Sequence, residues 1–193
     1  MGSQNSCEYA RVTEIIREVL GLEAGLVNWI RNSERAGIDT NKILQTSAKR
    51  GTKIHAYISK VLSGKKARIQ KQYKTRIENL LEFLKEKKDI QTEVALKTDD
   101  PIKHQGHLDY LYYDNGNPVV ADLKTGGKRI DAELQVNGYG YLLKKNLNIE
   151  PVRLELIYLR PTYLDVVVLK YDESLWKSIL KIYEWKKSLN WIK

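Results

Sequence analysis

The chain has 193 residues, 42% of them hydrophobic, enough for one globular domain with a buried core. Its single cysteine, Cys7, excludes a disulfide framework, a zinc knuckle or a cysteine-ligated iron–sulfur cluster within one chain, and no apolar run approaches the ~18 residues of a membrane span. A formal charge of +9 favours a polyanionic partner through phosphate contacts and counterion release, although a soluble surface with a modest lysine excess accounts for it equally well.

The first six residues are polar and carry no signal-peptide core, so a soluble, intracellular protein is expected. Residues 9–20 read as a short helix with Ile15, Ile16, Val19 and Leu20 on its apolar side and Gly21 as its stop. Residues 23–32 read as a second helix, carrying Leu26, Trp29 and Ile30. Residues 42–62 read as a third, with Ile54, Ile58, Val61 and Leu62 as its stripe and Ser63-Gly64 ending it. In residues 67–87 the apolar positions Ile69, Tyr73, Ile77, Leu80, Leu81 and Leu84 recur at helical spacing.

The period then changes from helical to alternating. Thr92, Val94 and Leu96 alternate with Glu93, Ala95 and Lys97, as in a strand. Residues 105–113 and 118–124 are two further strands, joined by the turn Asp114-Asn115-Gly116-Asn117 into a hairpin. After the break Thr125-Gly126-Gly127 come a helix (131–145), two strands (153–160 and 164–171, parted at Pro161) and a last helix carrying Trp176, Ile179, Leu180 and Tyr183. This order predicts one α/β domain over residues 1–193, with a helical front end to about residue 88 and the remaining core behind it.

The residues with the most chemical content lie on the hairpin. Strand alternation groups Gln105, His107, Asp109, Leu111 and Tyr113 on one face, and Val120, Asp122 and Lys124 on another. The hairpin can bring Asp109 beside Asp122. Two adjacent carboxylates repel unless a cation neutralises them, and hard oxygen ligands suit Mg²⁺ or Mn²⁺. Lys124, beyond Asp122 on the same face, can hold an attacking water and stabilise charge growing on a phosphate. Alone, an Asp-x-Lys tripeptide reads more readily as a surface salt bridge. Three further features bear on it. Glu93 sits on the polar side of the preceding strand, where it can face the same spot or simply be solvated. Gln135 and Tyr139 are one helical turn apart and point the same way, so they can bind a phosphate and stack on a base, or pack on the core. His55 lies at the edge of an apolar helical stripe, a common place for a structural histidine.

Taken in order, these segments resemble the RecB-like branch of the PD-(D/E)xK nuclease superfamily. Arg50-Gly51-Thr52-Lys53-Ile54-His55 is similar to a G-x-x-x-H motif, and Gln105-Gly106-His107-Leu108-Asp109 to G-x-x-D. Val119-Val120-Ala121-Asp122-Leu123-Lys124-Thr125-Gly126 resembles a hydrophobic D-x-K-T-G element, and Leu134-Gln135-Val136-Asn137-Gly138-Tyr139 a Q-x-x-x-Y motif. Arg11 to Ile16 and Trp29 also resemble the start of phage-type and mitochondrial genome maintenance exonucleases. CRISPR-adaptation nucleases of this branch usually add four cluster-binding cysteines, which one Cys7 does not supply, so no iron–sulfur cluster is expected.

The resemblance implies a restriction-endonuclease-like core: a mixed central sheet with a β-hairpin, flanked by helices. It implies a Mg- or Mn-dependent deoxyribonuclease that hydrolyses phosphodiester bonds and leaves a 5′-phosphate. His55, Asp109, Asp122 and the Leu123 carbonyl would be metal ligands. Lys124 would be catalytic, with Glu93 a further acidic residue of the centre and Gln135 and Tyr139 on the DNA side. An exonuclease acting on single-stranded DNA or DNA ends is the expectation. A structure-specific endonuclease of the same fold and a non-catalytic nucleic-acid-binding module remain alternatives.

Overall fold

The chain enters its sheet at once. In the computed structural model, which describes residues 8–22, 24–66 and 68–192, the first element is a two-residue strand, β1 (Ala10–Arg11), and it continues directly into helix α1 (Val12–Leu20). Cys7, the polar leader and the expected helix starts at Glu23 and Ala67 lie outside the described residues. Residues 9–11 are therefore not helical as their sequence suggests. Ala10 and Arg11 pair in parallel with His104 and Gln105, a non-local contact that overrides local propensity. The Arg11 amide donates to Glu14 Oε2 at 2.9 Å, which ties the strand to the first turn of α1.

Helices α2 (Ala24–Arg35) and α3 (Thr40–Leu62) follow. Helix α3 starts two residues before its expected start because Asp39 caps it, its Oδ1 accepting from the Lys42 amide at 2.9 Å. The fourth helix, in contrast, starts late. Residues 68–70 are not helical, Lys71–Tyr73 form a single 3₁₀ turn, and α4 spans only Lys74–Lys85. Ile69 and Tyr73 still reach the core that a longer helix would have put them in, so their spacing mimics a helical stripe.

Strands β2 (Lys88–Thr98), β3 (His104–Asp114) and β4 (Asn117–Lys124) form an antiparallel meander. The β3–β4 turn is Asn115-Gly116, with φ +51° and +79°, the left-handed pair that a two-residue hairpin requires. Helix α5 (Ile130–Leu147) crosses over to β5 (Arg153–Leu159), which runs parallel to β4. Strand β6 (Leu164–Leu169) is antiparallel to β5, and α6 (Glu173–Ser188), capped by Asp172, ends the fold. The result is the expected mixed central sheet flanked by helices. Among the described residues, no helix is long and apolar enough to cross a membrane.

Two cores cover the two sheet faces. Residues of α1, α5 and α6 pack with Leu108, Leu111, Val120, Leu154, Leu156 and Tyr158. Residues of α3 and α4 pack with Tyr110, Tyr112, Val119, Ala121, Leu123, Ile157 and Leu159. Helix α5 is wedged between the sheet and α6 and is buried nearly all round, so close contacts there demand glycine. A Cβ on Gly138 would lie 2.8 Å from the Trp176 ring.

Strand β2 occupies one edge of β3 along most of its length, from His104 to Tyr113. Strands β1 and β4 must therefore share the other edge, β1 at His104–Gln105 and β4 at Tyr110–Asp114. Between them the edge of β3 is forked, and Asp109 stands at the fork. The alternation of β3 also breaks there. Leu108 and Leu111 enter the same core, whereas Tyr110 and Tyr112 enter the other, so the expected single face from Gln105 to Tyr113 does not exist. Glu93, which the β2–β3 register sets opposite Asp109, has φ +54° and drops out of the ladder.

Candidate active site

The β3–β4 ladder runs from Asp114↔Asn117 to Tyr110↔Ala121 and stops. One step further would pair Asp109 with Asp122. Instead the strands part, and Asp109 Oδ2 accepts the Leu123 amide at 2.7 Å, taking the place of a ladder bond. The other oxygen, Oδ1, lies 3.3 Å from His55 Nδ1 on α3. Ligand atoms of His55, Glu93 and Asp109 all fall within 4.8 Å of one another. Burial pushes the His55 pKa down, but the hydrogen bond and charge of Asp109 outweigh it, so the imidazole titrates above its ordinary value.

Asp122 is 2% exposed and faces α5. Its Oδ1 accepts from Gln135 Nε2 at 3.3 Å. Its Oδ2 is 2.7 Å from Lys124 Nζ, an ion-pair distance, yet the angle is wrong for a hydrogen bond and this buried oxygen has no hydrogen-bonding partner. Burial, aided by the charge on Asp109, pushes the Asp122 pKa up to about 6 against the pull of Lys124 and His55. Lys124 Nζ also donates to Gln135 Oε1 at 2.8 Å. Gln135 Nε2 in turn reaches the Tyr139 hydroxyl at 2.7 Å. The Tyr139 ring is 6% exposed and lies under Gly106, where a Cβ would come 2.7 Å from its Cε1. The ring is buried, and the Tyr139 hydroxyl is joined to the cleft through Gln135.

His55, Glu93, Asp109, Asp122, Leu123, Lys124 and Gln135 all line one open cleft of about 790 Å³ between α3 and the end of β4. Every residue expected to bind metal, act in catalysis or face DNA is thus at this cleft or, for Tyr139, bonded to a residue that is, whereas Gln105 and His107 line a separate pocket. The sequence reading gave no site role to three parts of it. Thr52 and Ser59 line the α3 wall at helical spacing from His55, a signal readable only once His55 has been chosen. Thr125 and Gly126 form the rim. Arg160, held by Asp165 at 3.0 Å, donates to the Gly126 carbonyl at 3.0 Å and so secures that rim from β5's far end, a contact that no local pattern encodes.

A profile of the PD-(D/E)XK nuclease superfamily matches residues 24–187, most of the chain. The chain belongs to this superfamily. No curated protein sequence matches it. Solved structures share the superfamily's fold at low identity. The protein SSO0001 aligns over 98% of this chain and 78% of its own, with a TM-score of 0.55 and 18% identity. A Eubacterium rectale protein assigned as an exonuclease aligns over 97% and 84%, with a TM-score of 0.54 and 14% identity. The alkaline exonuclease of Laribacter hongkongensis aligns over 92% and 84%, with a TM-score of 0.50 and 9% identity. The restriction-endonuclease-like core expected from the sequence is therefore the fold, and the chain is a nuclease by family.

Proposed function

We propose that the chain is a single-domain, Mg²⁺- or Mn²⁺-dependent deoxyribonuclease that hydrolyses phosphodiester bonds, acting as an exonuclease on single-stranded DNA or DNA ends. The observation that carries this reading is the Lys124 amine, held between Asp122 and Gln135 in an open cleft beside the cluster of His55, Glu93 and Asp109. Two of the structural relatives being described as exonucleases supports the exonuclease form.

The residues fit a divalent cation. The cluster offers two carboxylates and one imidazole at ligand spacing, and Asp122 adds a buried oxygen that no hydrogen bond satisfies. An oxygen-rich set of this kind suits Mg²⁺ or Mn²⁺ better than soft metals. His55, Asp109, Asp122 and the Leu123 carbonyl would hold it, and Glu93, placed within reach of His55 and Asp109, would join them. Such a cation, when bound, polarises a phosphate oxygen and lowers the pKa of coordinated water.

The chain's own groups supply the rest. Lys124 Nζ would hold the attacking water by hydrogen bond and place a positive charge next to the phosphoryl oxygens as they gain charge. Gln135 fixes where that amine points, accepting from it with one atom while its amide nitrogen is anchored on Asp122 and Tyr139. Leu123's amide keeps Asp109 turned into the cleft. End-labelled single- and double-stranded DNA, linear and circular, with Mg²⁺ and with Mn²⁺, tests the reading. Linear single strands should be degraded and circular ones left intact. Cutting of circles would make the protein an endonuclease, and binding without cleavage in either metal would make it a non-catalytic module.

A further inference from the structure

Helix α3 has a second working flank. On that side it borders a groove of about 440 Å³, completed by residues after its C-terminus and by the 3₁₀ turn before α4. Lys53, Tyr57 and Lys60 fall at i, i+4 and i+7 and so stack along this flank, while Lys66, Arg68 and Tyr73 line the same groove. Among the described residues that line it, none is acidic. Among the described residues none of these four cations is paired with a carboxylate, whereas Lys124, Lys128, Lys144, Lys145 and Lys177 all are. The groove adjoins the nuclease cleft across the part of α3 formed by Ala56 and Lys60, which line both.

We infer that this groove carries the single strand of nucleic acid on one side of the bond being cut, with the four cations on its phosphates and the two tyrosines beside its bases. The inference rests on the nuclease reading of the neighbouring cleft. Seven helical residues separate Lys53 from Lys60, a rise of about 10 Å, which is wider than one phosphate and suits several in succession. Unpaired cations with aromatic rings between them, and no acid nearby, are the chemistry of single-strand tracks.

The test is direct binding of a fluorescein-labelled single-stranded DNA 16-mer in EDTA, followed over a salt series. Three proteins are compared: wild type, the groove variant Lys53→Ala/Lys66→Ala/Arg68→Ala, and a control losing the same charge on or near α6, Lys170→Ala/Lys181→Ala/Lys187→Ala. Each single-strand phosphate contact contributes a slope of about 0.7 in log Kd against log salt, so the groove variant should lose about 2 from the slope. Its affinity at low salt should fall at least tenfold, while the control keeps the wild-type slope. All replaced residues are exposed, and melting curves check that each variant is folded. An unchanged slope in the groove variant, an equal loss in the control, or full competition by a mononucleotide overturns the inference. Slope loss confined to the groove variant, in a protein that cuts no DNA in Mg²⁺ or Mn²⁺, would leave the groove standing and remove the nuclease reading. Cleavage by wild type with no slope loss does the reverse.

Discussion

Replacing Asp122 with asparagine separates what this residue costs the fold from what it gives the chemistry. The side chain is 2% exposed, one of its oxygens lacks a hydrogen bond, and burial with the Asp109 charge raises its pKa from 3.8 to about 6. Below about pH 4 the carboxyl is protonated in both folded and unfolded chains and costs nothing. Between about pH 4 and pH 6 the unfolded chain releases a proton that the folded chain keeps, so stability falls as pH rises. Above about pH 6 the full cost of a buried carboxylate is present. A shift of about two pKa units at ~1.4 kcal/mol each sets a ceiling of ~3 kcal/mol. The pull of Lys124 is already contained in that pKa, so asparagine should gain up to ~3 kcal/mol above about pH 6, or up to about 6–12 °C in Tm for a chain of this size. Thermal unfolding by circular dichroism in EDTA, from pH 4 to pH 8, measures it. The difference between Asp122→Asn and wild type should be near zero at pH 4 and level off above pH 6. A variant that melts below wild type at pH 7.5, or by the same margin at every pH, would refute the assignment of the raised pKa to Asp122. The same variant should lose DNA cleavage by at least about 10³-fold, the signature of a site whose strain serves function.

Lys124→Ala should abolish cleavage with an unchanged circular dichroism spectrum, since its amine is part-exposed and, among the described residues, is paired with Asp122 and Gln135; end-labelled oligonucleotide turnover checks it. Mn²⁺ should raise the Tm of wild type by several degrees through binding linkage and do little for Asp109→Asn/Glu93→Gln, read by the same melting assay. Tyr139→Phe should cost about 1 kcal/mol or less in stability but lower kcat with little change in KM, because the lost hydroxyl anchors Gln135 rather than substrate. Gly106→Ala should destabilise by ~1–3 kcal/mol in chemical denaturation and impair turnover, because its methyl would sit 2.7 Å from the buried Tyr139 ring, which must shift and carry its hydroxyl away from Gln135.

The opposition of Asp109 to Asp122 was legible in the sequence because it is a counting problem. A two-residue Asn-Gly turn sets the hairpin register, and counting outward from Asn115-Gly116 brings those two aspartates level. Helix α3 was legible because its apolar spacing is local, and His55 rides on it; helix α5, which carries Gln135 and Tyr139, was legible from the Thr125-Gly126-Gly127 break before it. What the sequence hid is everything that depends on a second chain segment. Strand β1 exists only because His104 and Gln105 pair with it, and the helix expected from residue 67 unwinds because Ile69 and Tyr73 reach their core without it. The site itself lies where period-two reasoning fails. Two strands share one edge of β3, so the ladder must fork; at the fork Asp109 trades a backbone bond for the Leu123 amide, the alternation resets, and Glu93 opposite adopts a left-handed backbone. A regular hairpin would hold Asp109 in its ladder, its Oδ2 no longer substituting for a backbone acceptor at Leu123. The irregularity that defeats the sequence rule is what gathers His55, Glu93 and Asp109 within ligand reach beside Asp122, which is where a fold is expected to depart from its own local preferences.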